Sequence, residues 1–246
     1  MAQLAYVVTG AASGLGAAVM ERLAADGRPV AALDLNTCDV AESCESYACD
    51  VTDPAAVQDT VDQVVAQFGG IAGAVTCAGI APSSKLVGRK GRHDPELFAK
   101  VLAVNTVGTF NVVTSCAEAM QSNTADETGA RGVIVTTASI AAFEGQIGQI
   151  AYAASKGAVA AMTLPAAREL ARSGIRVVSV APGVFDTPMM QGMPDEVRDS
   201  IAATIPFPPK LGAPEDFAAL VAHIIENTTL NGEVIRLDGA LRMAGK

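Results

Sequence analysis

The chain opens on a strand, a glycine turn and a helix, and few folds accept that order. Residues 4–9, L-A-Y-V-V-T, form a short apolar β run. The turn G-A-A-S-G-L-G follows, with Gly10, Gly14 and Gly16, and an alanine-rich helical run continues to about Asp26. A Cβ at those glycines would stand between the backbone and an approaching ligand. A helix N-terminus offers free N–H groups and a partial positive charge. A diphosphate suits such a turn, so the stretch predicts a dinucleotide against Gly10, Ser13, Gly14, Leu15 and Gly16. The spacing is G-x-x-x-G-x-G rather than G-x-G-x-x-G. An ordinary tight turn is the plain alternative; the strand before it and the helix after it argue against that.

A second β run, P-V-A-A-L-D-L, ends at Asp34, eighteen residues after Gly16. An acidic residue at this distance suits the adenosine ribose hydroxyls and repels a 2′-phosphate. Leu35 and Asn36 beside it carry no cation and Ser13 is neutral, so NAD is expected over NADP, with Leu35 also at the cofactor. A turn or capping aspartate is the alternative. Residues 46–51 read as a third strand, with Asp50 at its carboxyl end. Ligands collect there in parallel sheets, so Asp50 is expected at the adenine amino group and Val51 beside the ring. Asp53 and Pro54 then start a helix to about Phe68. A fourth strand ends in the small residues Cys77, Ala78 and Gly79, which let the chain pass close to the adenosine ribose. Cys77 itself reads as a small buried filler.

The loop at 81–94 gathers Lys85, Arg89, Lys90 and Arg92 beside His93 in an acidic chain. It is either a solvated surface loop or a contact for an anionic part of the substrate. A helix is expected from Pro95 to about Met120, with Leu97, Phe98, Val101, Leu102 and Val104 on a buried face. Asn105 continues that stripe, and a buried amide must be hydrogen-bonded. Its partner is either a neighbouring strand or a water near a lysine.

Ser139 follows the β run V-I-V-T-T-A, and Tyr152 and Lys156 come later in Y-A-A-S-K. Four residues apart on a helix, Tyr152 and Lys156 share one face, about 6 Å apart along the axis. The three predict a proton-transfer site. Alcohol oxidation needs a base, and a free tyrosine, with a pKa of about 10, is a poor one at neutral pH. A nearby cation favours the phenolate, and Lys156 is the expected source, with the positive nicotinamide ring of NAD⁺ adding to it. Ser139 is expected to hold the substrate oxygen near Tyr152. Gln146 and Gln149 lie in the intervening loop, facing either a polar group of the substrate or solvent. The helix should end near Gly174, with Pro165 bending it. A sixth strand leads into P-G-V-F-D-T-P, and a substrate lid is expected at roughly 185–210. A helix from Pro214 to about Asn227 and a last strand complete the chain.

Half the residues are hydrophobic and 17% are charged, so a folded core is expected rather than disorder. A net charge of −9 argues against a nucleic-acid partner. Cys38, Cys44, Cys49, Cys77 and Cys116 are odd in number and lack C-x-x-C, so neither a disulfide framework nor a metal site is expected. No signal peptide or bilayer-spanning stretch is read, which suggests a cytoplasmic or other reducing, soluble compartment. The alternation of strands and helices predicts one α/β domain over 1–246. It should be a Rossmann-like, doubly wound parallel sheet of about seven strands flanked by helices.

Taken together, T-G-A-A-S-G-L-G, Asp34, C-D-V, C-A-G, Asn105, Ser139, Y-A-A-S-K and P-G resemble the short-chain dehydrogenase/reductase family over almost the whole chain. One departure is Thr76, where the family pattern N-x-A-G has asparagine; it puts a sheet-stabilising hydrogen bond in doubt. The resemblance implies an oxidoreductase with Ser139, Tyr152, Lys156 and Asn105 as catalytic residues. It implies that Asn105 holds a water in a relay to Lys156, and that Lys156 binds the nicotinamide ribose. Pro182, Gly183, Val184 and Thr187 would lie at the nicotinamide. The stretches A-A-F-E-G-Q-I-G-Q, M-T-L-P-A-A-R-E-L and N-G-E-V-I-R-L-D-G-A-L-R-M are similar to the branch that oxidises short or branched 3-hydroxyacyl-CoA with NAD as a homotetramer. A dehydrogenase of steroids or other secondary alcohols is the alternative. A carrier-protein reductase usually needs NADPH, which Asp34 disfavours. A non-catalytic NAD-binding scaffold would not require Ser139, Tyr152 and Lys156 together.

Overall fold

The computed structural model describes residues 3–89, 91–191 and 194–245. Lys90 of the basic loop lies outside the described residues. The chain alternates as expected: β1 Ala5–Thr9, α1 Gly14–Ala25, β2 Val30–Asp34, β3 Cys44–Ala48, α2 Pro54–Phe68 and β4 Ile71–Thr76. A short ribbon follows, β5 Val87–Gly88 and β6 Gly91–Arg92. Then come α3 Pro95–Leu102, a π segment Ala103–Gly108, α4 Thr109–Gln121, β7 Gly132–Thr137, α5 Ile150–Leu170 and β8 Ile175–Pro182. The chain continues with α6 Pro188–Gln191, α7 Asp195–Ala202, α8 Pro214–Glu226 and β9 Val234–Leu237.

The main sheet has seven strands in the order β3-β2-β1-β4-β7-β8-β9, and every pairing is parallel. The chain steps outward from β1 to β3, then returns to place β4 on the other side of β1. That reversal opens a crevice at the carboxyl ends of the strands. Apolar residues of α1 and α8 cover one face of the sheet. Those of α2, α4 and α5 cover the other. Local chemistry sets the boundaries. Asp53 caps α2 by accepting from Ala55 N–H and Ala56 N–H, and Gly69 ends that helix at φ +81°.

Three expectations change. The third strand is Cys44–Ala48, earlier than 46–51. Asp50 leaves the ladder because its carboxylate folds back onto Thr52 N–H at 2.9 Å. The helix from Pro95 runs to Gln121 but is interrupted by the π segment around Asn105. On its first part only Val101 is buried; Leu97, Phe98, Leu102 and Val104 are half-buried, because α3 packs against α5 and not against the sheet. Finally, Pro95–Gln121 spans 27 residues with a mean hydropathy of 1.4 in its most apolar window, so a bilayer-length stretch does exist. Its second half packs on the sheet: α4 lies on β4 and buries the polar Asn111 and Ser115.

Candidate active site

The glycine turn is shaped mostly by the protein itself. Gly10 (φ +67°) and Gly14 (φ +56°) adopt left-handed backbone. A Cβ on Gly10 would fall 2.8 Å from Ala78 N, and one on Gly16 would strike the Gly10 carbonyl. These two glycines let β1, β4 and α1 meet. A Cβ on Gly14 would meet the Thr187 side chain at 3.5 Å, so the start of the 185–210 segment stands over the turn. Ser13 occupies the N-cap of α1, and its hydroxyl makes no capping bond.

Asp34 closes the turn from the side. Its carboxylate accepts from Ala12 N–H at 3.1 Å and from Leu35 N–H at 2.7 Å. Leu35 is exposed beside it. Asp50 accepts two bonds from Thr52, which hold its carboxyl below the usual carboxylate range. Val51 is buried, and its carbonyl accepts from Asn111 Nδ2 at 2.9 Å. Cys77 N–H and Ala78 N–H both donate to Thr9 Oγ1, at 3.1 and 3.2 Å. Burial pushes the Cys77 thiol up to about 11, as suits a filler rather than a nucleophile. Gly183 N–H donates to the Leu237 carbonyl, and the Val184 carbonyl accepts from Gly212 N–H. Pro182 is buried at the end of β8. The sequence-predicted cofactor residues thus gather just past the carboxyl ends of β1, β2, β3, β4 and β8. An open glycine turn at a helix N-terminus, flanked by a fixed carboxylate, fits a dinucleotide.

Ser139 follows β7 directly and its Oγ accepts from Ala141 N–H at 3.1 Å. Tyr152 and Lys156 lie on the first turns of α5, with Lys156 Nζ 6.0 Å from the Tyr152 ring centre. Lys156 is 5% exposed, and Nζ donates to the Thr137 carbonyl at 2.6 Å. Burial depresses its pKa to about 8. Burial raises the Tyr152 pKa, and a hydrogen bond with the Ser139 hydroxyl pulls it partly back. The Lys156 ammonium is held on the Thr137 carbonyl.

Asn105 is fully buried. Its Oδ1 accepts from Ile80 N–H at 2.8 Å, while Nδ2 donates to the Ile80 carbonyl and to Ser155 Oγ, both at 2.9 Å. The side chain therefore holds the segment after β4, the first of the two alternatives. Both amide hydrogens are in use, so its amide has none left to donate to a relay water. Ser155 went unread in the sequence. Its signal was a serine inside an apolar helix, one residue before Lys156. Gln146 and Gln149 are engaged as well. Gln146 N–H donates to Gln149 Oε1 at 3.1 Å, and Gln146 Nε2 donates to the Ala244 carbonyl at 3.2 Å. Glu144 and Arg236, paired at 2.9 Å, also escaped sequence reading.

A glycine turn, a carboxylate fixed beside it and a serine, tyrosine and lysine brought together on a parallel sheet define a nicotinamide-dependent dehydrogenase. The chain belongs to the short chain dehydrogenase family, which it matches over residues 5–198, and it is an oxidoreductase of that kind. It is 49% identical to 3-hydroxyacyl-CoA dehydrogenase type-2 of Homo sapiens over 249 residues, covering 98% of this chain and 95% of the relative. It is 37% identical to (3R)-3-hydroxyacyl-CoA dehydrogenase of Rattus norvegicus, covering 96% and 95%. The crystal structure of 3-hydroxyacyl-CoA dehydrogenase type-2 from Mycobacterium avium superposes with a TM-score of 0.92 at 38% identity, covering 100% of this chain and 98% of that one.

Proposed function

We propose that the chain is an NAD-dependent dehydrogenase of short or branched 3-hydroxyacyl-CoA thioesters. The observation that carries the substrate reading is a contact between two loops. Ser84 N–H donates to the Gly148 carbonyl at 2.8 Å, tying the basic hairpin to the loop between Ser139 and Tyr152. A cationic ribbon is thus tied to the loop that leads from Ser139 to Tyr152. Among the described residues, Lys85, Arg89 and Arg92 form no ion pair within the chain. They are free to meet phosphates. Leu86, Val87 and Ile147 are exposed on the same two loops and suit an apolar acyl or pantetheine arm. The names of the relatives point the same way.

In this reading Gly10, Ser13, Gly14, Leu15 and Gly16 hold the cofactor diphosphate. Asp34 and Leu35 hold the adenosine ribose, and the Asp34 carboxylate, which repels a 2′-phosphate, selects NAD over NADP. Asp50 and Val51 face the adenine, and Cys77, Ala78 and Gly79 border the ribose. Pro182, Gly183, Val184 and Thr187 face the nicotinamide. When bound, NAD supplies the acceptor for the hydride that leaves the alcohol carbon. Ser139 holds the substrate oxygen, and Tyr152 takes its proton. Lys156 holds the nicotinamide ribose and favours the phenolate once a second positive charge is nearby. Asn105 braces Ile80 and Ser155 on either side of Lys156. The segment 185–210 forms the lid. The exposed Val107, Phe110 and Leu164 suit contacts between subunits of a homotetramer. Five free cysteines suit a cytoplasmic or other reducing compartment.

A substrate panel tests the reading. With NADH, acetoacetyl-CoA is expected to be reduced with a higher kcat/KM than steroid ketones. The reverse order would transfer the assignment to hydroxysteroid chemistry.

A further inference from the structure

The stretch 143–149 lies in the chain between Ser139 and Tyr152, yet it contains no strand or helix. Its shape must come from its neighbours. One is the hairpin, through Ser84 and Gly148. The other is the chain after β9. Ile147 N–H donates to the Gly245 carbonyl at 3.2 Å. Gln146 Nε2 donates to the Ala244 carbonyl at 3.2 Å. Gln146 N–H in turn holds Gln149 by its Oε1.

An ionic network anchors this arrangement to the sheet. Arg236 lies on β9 and donates two parallel bonds to Glu144, each 2.9 Å. Its Nε donates to Asp238 at 2.7 Å. Arg242 approaches both acids, at 3.1 Å from Asp238 and 3.5 Å from Glu144. The Arg236 guanidinium also lies over the Phe143 ring, 5.4 Å from its centre. A forked guanidinium–carboxylate pair fixes direction as well as distance, which a single ammonium does not. The edge strand therefore reaches the substrate loop through a rigid pair, and the tail supplies two further bonds.

We propose that Arg236 and the tail carbonyls of Ala244 and Gly245 are positioning elements that hold the 143–149 loop in its substrate-binding shape. Arg236 acts through Glu144 and touches no reacting atom. The proposal rests on the reading of this loop as a wall of the acyl-CoA site.

Three chains test it: Arg236→Gln, Arg236→Lys, and a chain ending at Met243. KM for acetoacetyl-CoA is expected to rise about tenfold in Arg236→Gln and in the shortened chain, because misplaced binding groups act on substrate affinity. Arg236→Lys keeps the charge but loses the fork, so its KM falls between. The NADH Kd, and kcat for a small ketoester lacking CoA, are expected to stay within about twofold of the parent. Equal losses on both substrates, or no loss on either, would overturn the proposal. If Arg236→Gln does not fold, the shortened chain decides, since it keeps all four ionic side chains. A parent chain that reduces no acyl-CoA overturns the substrate reading alone. Amide exchange then decides the brace: faster exchange at Ile147 in the shortened chain supports it, and unchanged exchange overturns it.

Discussion

Asn105 and Ile80 are joined as two paired strands would be. The asparagine Oδ1 accepts from Ile80 N–H at 2.8 Å and its Nδ2 donates to the Ile80 carbonyl at 2.9 Å. The second Nδ2 hydrogen goes to Ser155 Oγ, and Ser155 Oγ donates to the Tyr152 carbonyl at 2.7 Å. One buried amide thus links the segment after β4 to the helix carrying the tyrosine and lysine. A fully satisfied buried network of this kind rigidifies what it joins. The π segment offsets the helix locally and presents Asn105 at that point. A Cβ on Gly79, next to Ile80, would stand 3.2 Å from Asn105 Oδ1 and 3.7 Å from Lys156 Nζ. The glycine is what allows the lysine and the asparagine to share that space.

The proton acceptor is the first thing to test. Tyr152→Phe removes one hydroxyl and leaves the ring in place. NADH binding is expected to stay within about twofold, while kcat falls by about a thousandfold, the scale of a lost general base. Turnover close to that of the parent would remove Tyr152 from the reaction.

Asp34 should decide the cofactor. The parent is expected to show a higher kcat/KM with NADH than with NADPH. Asp34→Ala loses a carboxylate fixed by two backbone N–H groups. The preference should then shrink at least about tenfold, equivalent to about 1.4 kcal/mol. A parent that favours NADPH would contradict the assignment.

Charge at the hairpin should be felt by CoA only. The double variant Lys85→Glu, Arg89→Glu is expected to raise KM for acetoacetyl-CoA and to leave a small ketoester unaffected. High salt should narrow the gap between parent and variant, because exposed charges are screened. Equal changes for both substrates would show that the hairpin does not read the CoA moiety.

What was legible in the sequence was what short spacing encodes. The glycine turn, Asp34 and the tyrosine–lysine pair each depend on residues a few positions apart, or on one strand and one helix. The π segment was not legible, because the same side chains are compatible with an uninterrupted α-helix. Gln146 was readable as polar, but its partner is the Ala244 carbonyl, 98 residues away. The Glu144–Arg236 pair spans 92 residues. Nor does spacing give the Lys156 pKa, which depends on how completely the fold excludes water from Nζ.

Thr76 shows the effect of a single departure from the family pattern. It is 3% exposed and pairs in register with Thr9 and Thr136. The hydroxyls of Thr76 and Thr136 are buried without a hydrogen-bond partner. Thr76→Val keeps the shape and removes one of these hydroxyls. A gain of about 1 kcal/mol, or about 2–4 °C in Tm, is expected. A drop in Tm would reveal that an internal water satisfies Thr76.

Lys156 should leave a signature in stability against pH. Its folded pKa is about 8 against an ordinary 10.5, and the cause is burial. Below about 8 the folded and unfolded chains both hold the proton, and the full desolvation penalty is present. Between about 8 and 10.5 the unfolded chain binds a proton that the folded chain has released, so stability rises with pH. Above 10.5 neither holds it and the gain is complete. The gap between the two pKa values corresponds to about 3 kcal/mol. Lys156→Met has no proton to release and lacks this rise. Carrying Tyr152→Phe in both chains removes the tyrosine's own titration, which Lys156 influences, from the difference. Urea melts from neutral pH to about 10.5 are expected to show the parent gaining up to about 3 kcal/mol on Lys156→Met. A constant difference across that range would mean that Lys156 stays charged in the folded chain, supported by the Thr137 carbonyl despite its burial.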